Sequence, residues 1–504
     1  MTVQRSYHSR YAPQREAERF IEASLNKKMP GTILLLGPGE NYIGRVLAER
    51  YPWALVYSMH PEAGFIENTV DTEYQWWPES PVQLAVFLRK ALFNEQTTAG
   101  VAVLEWEPVM SYFPEAGIQI RNSLTRALAS AAADRATVSY WSANWLKNCL
   151  KFAARIKNPA LPSSLAAPII VCAAGPGLSA CYDFIRSRQK NSSVWALASA
   201  VPALLHAGIQ ADVSIATDPG YWSGVHLRHS LQAGIPVALP PSAYAGTGLL
   251  ESGLPIIPLN TGLIFERLIL QLLGLRSTEA TAFGTSAGTA LSLALKLTAQ
   301  PVYVCGLDLA AAGVKIHAEP YAFDILHELK VNRTQPIHSQ RYNESINVYP
   351  EKSGIWRFSR AFSAYANELY IDESELGRIK RFTQSPVQTG GLENCWPPSL
   401  SEVDSKPTLK PLLLQQQQLH APDARACSRL LDQFFTIGEL ALRRAGKNKK
   451  PLSFDESLTL KALCGAATAP ALALAARGQL EQADLDQGLV ALEAARPYWE
   501  DRCR

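Results

Sequence analysis

Short runs of consecutive apolar residues alternate along this chain with longer stretches in which apolar positions recur every three to four residues. Runs of the first kind predict strands of a parallel sheet covered on both faces, and the longer stretches predict helices packed against it. The clearest succession starts with a strand over 168–174 (PIIVCAA) that breaks into Gly175-Pro176-Gly177. A helix over 178–188, a strand over 193–198, a helix over 200–207 and a strand over 211–216 follow, the last ending on Thr217-Asp218-Pro219. Strand, glycine turn, helix, strand is a βαβ unit, and open parallel sheets gather ligands beyond the carboxyl ends of their strands. Gly175-Pro176-Gly177 and Asp218 both belong to that edge.

Upstream, the pattern predicts a helix over 15–25, a strand over 32–36 running into Gly37-Pro38-Gly39, a helix over 43–50, and strands over 54–57 and 101–104. Two helices are expected at 114–132 and 141–156. Downstream come strands over 236–239 and 255–258, then Gly284-Thr285-Ser286-Ala287-Gly288 opening a helix over 289–297. A strand over 302–305 then ends in Gly306-Leu307-Asp308. The fold class is therefore α/β: a central Rossmann-like, mostly parallel sheet at 165–385, preceded by a smaller α/β domain at 1–160. Residues 158–167 read as a linker, as do 386–420, which are rich in Pro, Ser and Thr and carry the polar tract Gln415–Gln418. Helices at 423–446, 454–478 and 479–500 make an all-helical C-terminal domain from 421 to 504, with apolar faces suited to self-association or to a partner.

A chain of 504 residues calls for two or three domains. A net charge of +3 argues against a nucleic-acid groove. The eight cysteines are scattered without a Cys-x-x-Cys pair and read as small core residues of a reduced, cytoplasmic protein. No apolar run looks long enough to span a bilayer, since 261–275 is interrupted by Glu266 and Arg267, and the N-terminus lacks a signal core.

Neither Gly-Pro-Gly turn completes a dinucleotide fingerprint, because Tyr42 and Ala180 stand where the third glycine belongs, and there is no P-loop. Each turn is equally a tight strand-to-helix connection. A helix N-terminus behind such a turn still binds phosphate through backbone N–H groups, and Thr285 and Ser286 open their helix in the same way. Asp218 and Asp308 are alternatively a turn former and a helix cap. His317 and His338 are alternatively solvated polar residues, and Trp76, Trp77 and Trp356 read as core or interface.

Three pieces together resemble the motility-associated factors (Maf proteins). They are Ala174-Gly175-Pro176-Gly177-Leu178, then Leu204 to Val213 continuing to Thr217-Asp218-Pro219, then Tyr303 to Ala310 followed by Lys315-Ile316-His317-Ala318. The resemblance covers roughly 168–370 and implies a cytosolic enzyme that glycosylates flagellin with nonulosonic acids. The same region resembles bacterial sialyltransferases that use CMP-sialic acid, through Thr285-Ser286-Ala287, Gly306-Leu307-Asp308 and Tyr321-Ala322-Phe323-Asp324. That likeness implies a CMP-sugar donor held by Gly175, Pro176, Gly177, Thr285, Ser286, Asp308 and Tyr321. It also places a base at His338, with His317 as the other candidate, because an acceptor hydroxyl must lose its proton as it attacks the anomeric carbon. Arg333 and Arg341 would face the sugar carboxylate.

The departures carry information. Ala174 and Gly177 replace hydrogen-bonding Asn and Ser, so contacts there fall to the backbone. Asp218 stands where the sialyltransferases have Asn; a carboxylate beside a phosphate needs a bridging cation such as Mg²⁺, or else serves as a base. Two other readings stay open. Archaeal 6-hydroxymethylpterin diphosphokinases share this domain type and would use Asp218 and Asp308 as Mg²⁺ ligands. A non-catalytic flagellin-binding assembly factor would account for a depleted pocket.

Overall fold

A computed structural model describes residues 7–65, 72–92, 97, 100–281, 283–369, 371–396, 412, 414–419, 424–448 and 452–503. The chain forms two compact units, one of Met1–Ala143 with Leu431–Asp501, the other of Asn144–Leu430 with Arg502–Arg504.

In the first unit, β1 (Thr32–Leu36) lies between β2 (Leu55–Met59) and β4 (Val101–Glu105), with β3 (Gln75–Trp76) beyond β2, all parallel. Every residue of β1 is buried, as its unbroken TILLL run requires. The two helices expected at 114–132 and 141–156 are one helix of 42 residues, Pro114–Arg155. Residues 133–140 contain neither Gly nor Pro, so nothing interrupts the backbone ladder there.

The C-terminal helices group with the N-terminal segment and not as a unit of their own. Small residues let them approach one another: Gly438 faces Leu460 and Leu492, and Gly488 faces Leu442 and Ala471. Phe454–Ala476, 23 residues, is by length and composition apolar enough to cross a membrane, a test that the core helix of a soluble protein also passes. A 3₁₀ turn at Gly465–Thr468 interrupts it, and half of its apolar window is buried against the protein.

The second unit carries the catalytic candidates. Its strands are β5 (Ala160–Pro162), β6 (Ile169–Cys172), β7 (Ser193–Leu197), β8 (Val213–Ile215), β9 (Val237–Leu239), β10 (Ile256–Asn260), β11 (Thr278–Glu279) and β12 (Val302–Cys305). There follow β13 (Ala311–Ala312), β14 (Glu351–Ser353), β15 (Trp356–Phe358), β16 (Ile379–Phe382), β17 (Asn394–Cys395) and β18 (Leu414–Gln416). Nine of them form one sheet in the order β11-β10-β9-β8-β7-β6-β12-β16-β17, and every pairing is parallel. Alternate residues of each central strand enter two separate cores. Ile169, Val171 and Val304 face one side, and Ile170, Cys172 and Cys305 the other. A sheet buried on both faces has no use for polar alternation, which is why its strands are legible as plain apolar runs.

Both expected linkers contribute to structure. β5 and β18 pair antiparallel, so the Gln-rich tract is half of a two-stranded sheet. Residues 397–411, 413 and 420 of the second expected linker lie outside the described residues. The chain leaves β6 toward β7 and continues outward to β11, then returns to place β12 on the opposite side of β6. The crevice between the carboxyl ends of β6 and β12 is therefore the point where the winding direction reverses, the usual ligand position in such sheets.

Candidate functional site

At that reversal point β6 leads into Ala173–Gly177 and β12 into Gly306-Leu307-Asp308. Asp308 is almost fully buried and commits both carboxylate oxygens. The Gly177 N–H donates to Oδ2 at 2.7 Å, and the Thr383 hydroxyl donates to Oδ1 at 2.5 Å. Desolvation pushes its pKa upward, against those two hydrogen bonds and the nearby Arg381 guanidinium. Arg381 donates to the Leu307 carbonyl at 2.9 Å, to the Val387 carbonyl at 2.7 Å and to Asn394 Oδ1 at 2.8 Å. Burial lowers its pKa to about 10. Asp308 thus braces the Gly175-Pro176-Gly177 turn from beneath. Gly306 sits at φ +69°, where a Cβ would run into the Ala173 carbonyl.

Thr285 caps the helix Ser286–Leu297, its hydroxyl accepting the Gly288 N–H at 3.2 Å. Ser286 Oγ lies 2.6 Å from Thr217 Oγ1, which ties the helix start to the end of β8. This helix packs along β6, β7 and β12. Its N-terminus is accordingly on the ligand edge, beside the loops that follow β8 and β9. Buried Asn148 staples those loops by donating to the carbonyls of Pro219 (3.0 Å) and Ser242 (2.9 Å).

Asp218 is exposed, and its Oδ1 accepts the Gly220 N–H at 2.6 Å, an Asx turn. Among the described residues no group of three His, Cys, Asp or Glu side chains converges as a metal site. Asp308 is buried and already hydrogen-bonded, and Asp218 is exposed in its own turn.

His317 and Tyr321 meet. Their rings stack at 4.0 Å with 17° between planes, and His317 hydrogen-bonds the Ala174 carbonyl, while the Ala318 N–H donates to the same carbonyl at 2.9 Å. Burial lowers the His317 pKa to about 4, opposed by that hydrogen bond and by Asp324. Burial also raises the Tyr321 phenol. Both residues line a cavity of about 220 Å³ with Phe323, Asp324 and Arg341.

His226, on the helix Ser223–Gln232, joins them unannounced by any sequence pattern, its Nε2 lying 3.4 Å from the Tyr321 hydroxyl. Burial first, then His317 and His229, hold its pKa down to about 4. Its sequence neighbourhood, SGVHLRHSLQ, is that of an ordinary surface helix.

His338 is exposed on the helix Ile337–Val348 and borders a wide-open depression of about 560 Å³ with Val314, Ser339, Tyr342 and Asn343. It does not share the cavity of His317 and Tyr321. Arg341 is held by Glu319 at 2.6 Å and Asp324 at 3.1 Å, while Arg333 is exposed. Trp76 is buried, and Trp356 lies in β15.

The other Gly-Pro-Gly turn is filled from within. A Cβ at Gly37 would meet the Met110 sulfur, and one at Gly39 would meet His8. The His8 ring lies flat on Trp106 at 4.9 Å, with its Nε2 3.1 Å from the Pro38 carbonyl oxygen.

Part of this chain matches a known family model. Residues 143–313 match that of the 6-hydroxymethylpterin diphosphokinase MptE-like proteins. An uncharacterized protein of Treponema pallidum (strain Nichols) is 27% identical over 263 residues, 51% of this chain and 58% of the relative. The match thus spans little more than half of that relative's length. Among solved structures, the chain is similar to the MAf glycosyltransferase from Magnetospirillum magneticum AMB-1. The identity is 12%, with 97% of this chain and 82% of that one covered and a TM-score of 0.49.

Proposed function

We propose that the Asn144–Leu430 unit is a cytoplasmic glycosyltransferase. It would move a nonulosonic acid from a CMP-activated donor to Ser or Thr hydroxyls of flagellin. The observation that carries this reading is the half-buried His317, stacked on Tyr321 and bonded to Ala174, at the turn where the sheet reverses direction. That arrangement sets a phenol on the wall of the cavity of about 220 Å³. Gly175, Pro176, Gly177 and the Thr285–Ser286 helix start would hold the nucleotide, and Tyr321 would donate to the phosphate.

In the transfer, an acceptor oxygen forms a bond to the anomeric carbon while the bond from that carbon to the CMP phosphate breaks. CMP leaves with the bonding pair. The acceptor proton goes to His338, whose open surroundings admit a protein substrate. Arg333 would meet the sugar carboxylate. The helices of Leu431–Asp501 would serve acceptor recognition or self-association.

A second reading, Mg²⁺-dependent transfer of diphosphate to a pterin, is favoured by the match over residues 143–313. Calorimetric titration of the full chain with CMP and with ATP, each with and without Mg²⁺, separates the two. CMP binding independent of Mg²⁺ supports the glycosyltransferase, and ATP binding only with Mg²⁺ replaces it with the diphosphokinase. Silence toward both points to a non-catalytic flagellin-binding factor.

A further inference from the structure

Tyr321 is held on three sides. His317 stacks on its ring at 4.0 Å, Phe323 lies 5.6 Å away at 35°, and His226 approaches at 5.3 Å with its Nε2 3.4 Å from the phenolic oxygen. His226 is itself fixed edge-on against Phe323 at 4.9 Å. A tyrosine clamped this way keeps one ring position, and the direction of its O–H is then set by whatever its oxygen accepts.

The tautomer of His226 follows from burial. Its Nδ1 is buried with no hydrogen-bond partner among the described residues. A proton there would be a buried donor without an acceptor, which folded proteins avoid more strictly than an unfilled acceptor. The proton of the neutral ring therefore belongs on Nε2, and Nε2–H donates to the Tyr321 oxygen. The phenolic hydrogen must then point elsewhere, and the open direction is the cavity of about 220 Å³ that Tyr321 lines. Protonating the ring would strand a second N–H at Nδ1 and set a charge beside His317. Burial, His317 and His229 all oppose it.

We infer that His226 is a positioning residue of the donor site: its Nε2–H orients the Tyr321 hydroxyl as a hydrogen-bond donor to a phosphate oxygen of a nucleotide-activated sugar. The inference rests on the glycosyltransferase reading for the identity of the anion. The dyad itself stands on geometry. As the sugar–phosphate bond breaks, negative charge grows on the phosphate, so the oriented O–H acts more in the transition state than in the bound donor.

The test uses the full chain and CMP-nonulosonic acid with flagellin as acceptor. Tyr321→Phe should lower kcat about 10²-fold and His226→Phe about tenfold, each with little change in the donor KM, by analogy with lost oxyanion donors. The double variant should be no worse than Tyr321→Phe alone, because both act through one hydroxyl. His226→Gln, whose amide reaches the Nε2 position, should recover most of the loss, and His226→Asn should not. Multiplying effects, or equal behaviour of Gln and Asn, would overturn the assignment.

A second readout is independent of turnover. With ¹⁵N-labelled histidine, the signal absent from His226→Phe should report a neutral Nε2–H ring at pH 7 that shifts in Tyr321→Phe. An Nδ1–H ring or an imidazolium would overturn the dyad. Should the wild-type chain transfer no sugar, the functional reading fails while the spectrum still decides the dyad.

Discussion

Asp308 occupies the space that a side chain at Gly177 would need. A Cβ on Gly177 would sit 2.7 Å from Asp308 Oδ1, and one on Gly175 would collide with Oδ2 and with the Gly306 carbonyl. The glycines of this turn are thus required by a buried carboxylate and not by a left-handed backbone, since Gly175 has φ −66°. The serine that resembling enzymes carry at the Gly177 position has no room in this chain.

Gly177→Ser should therefore destabilise the Asn144–Leu430 unit by about 1–3 kcal/mol, the range for inserting atoms into a packed site. Amide hydrogen exchange at Ile169–Cys172 reads the local effect. Unchanged protection would show that Asp308 yields its position easily.

Replacing the brace should do similar harm. Asp308→Ala strands the Gly177 N–H and leaves buried Arg381 without its nearby carboxylate, a loss of about 1–3 kcal/mol. Thr383→Val removes only one hydrogen bond and should cost about 1 kcal/mol. Urea titrations of both variants compare the two losses.

Glu266 gives the unit a pH dependence. It is fully buried, accepting from the Ser242 hydroxyl at 2.5 Å and from the Thr261 N–H at 2.6 Å, and desolvation lifts its pKa from 4.5 to about 7. A folded pKa above the unfolded one means stability is fully present below the unfolded value and is lost as pH rises through the folded one. The loss between pH 4.5 and 7 should be about 3 kcal/mol. Glu266→Gln should flatten this window in stability measured against pH.

His226 and His317 act in the opposite sense. Both pKa values fall from 6.5 to about 4, so their contribution is present above pH 6.5 and is lost as pH drops toward 4. His226→Phe should therefore lose less stability on acidification than the wild type. A parallel acid limb in both proteins would show that His226 does not titrate in this way.

Asp218 separates charge from shape. Asp218→Asn preserves the acceptor for the Gly220 N–H and should leave stability within about 0.5 kcal/mol. Asp218→Ala should cost about 1 kcal/mol through the lost turn. If Asp218→Asn abolishes turnover with the fold intact, the carboxylate's charge serves the reaction, and Mg²⁺ titration of that variant tells whether a cation is involved.

The central sheet was legible because strands buried on both faces must be continuously apolar. IIVC and VYVC announce themselves there, as TILLL does in the smaller four-stranded sheet, and glycine turns mark where they end. The same physics concealed the two-stranded pairing of Leu414–Gln416 with Ala160–Pro162, since an edge of mostly glutamines carries no apolar signal. It also concealed the continuity of Pro114–Arg155, where helix-permitting residues without a breaker read as a gap between two amphipathic stretches.

By itself, then, the sequence determined the α/β class, the strand-and-glycine-turn edge and the residue types available there, because these depend on local periodicity and backbone freedom. Only the tertiary structure decided what those residues do to one another. Asp308 turned inward to brace Gly177, Asp218 closed its own turn, His338 took an exposed position on a depression that shares Val314 with the Tyr321 cavity, and His226 came 95 residues along the chain to meet Tyr321. Such meetings depend on how distant elements pack, and no local pattern encodes them.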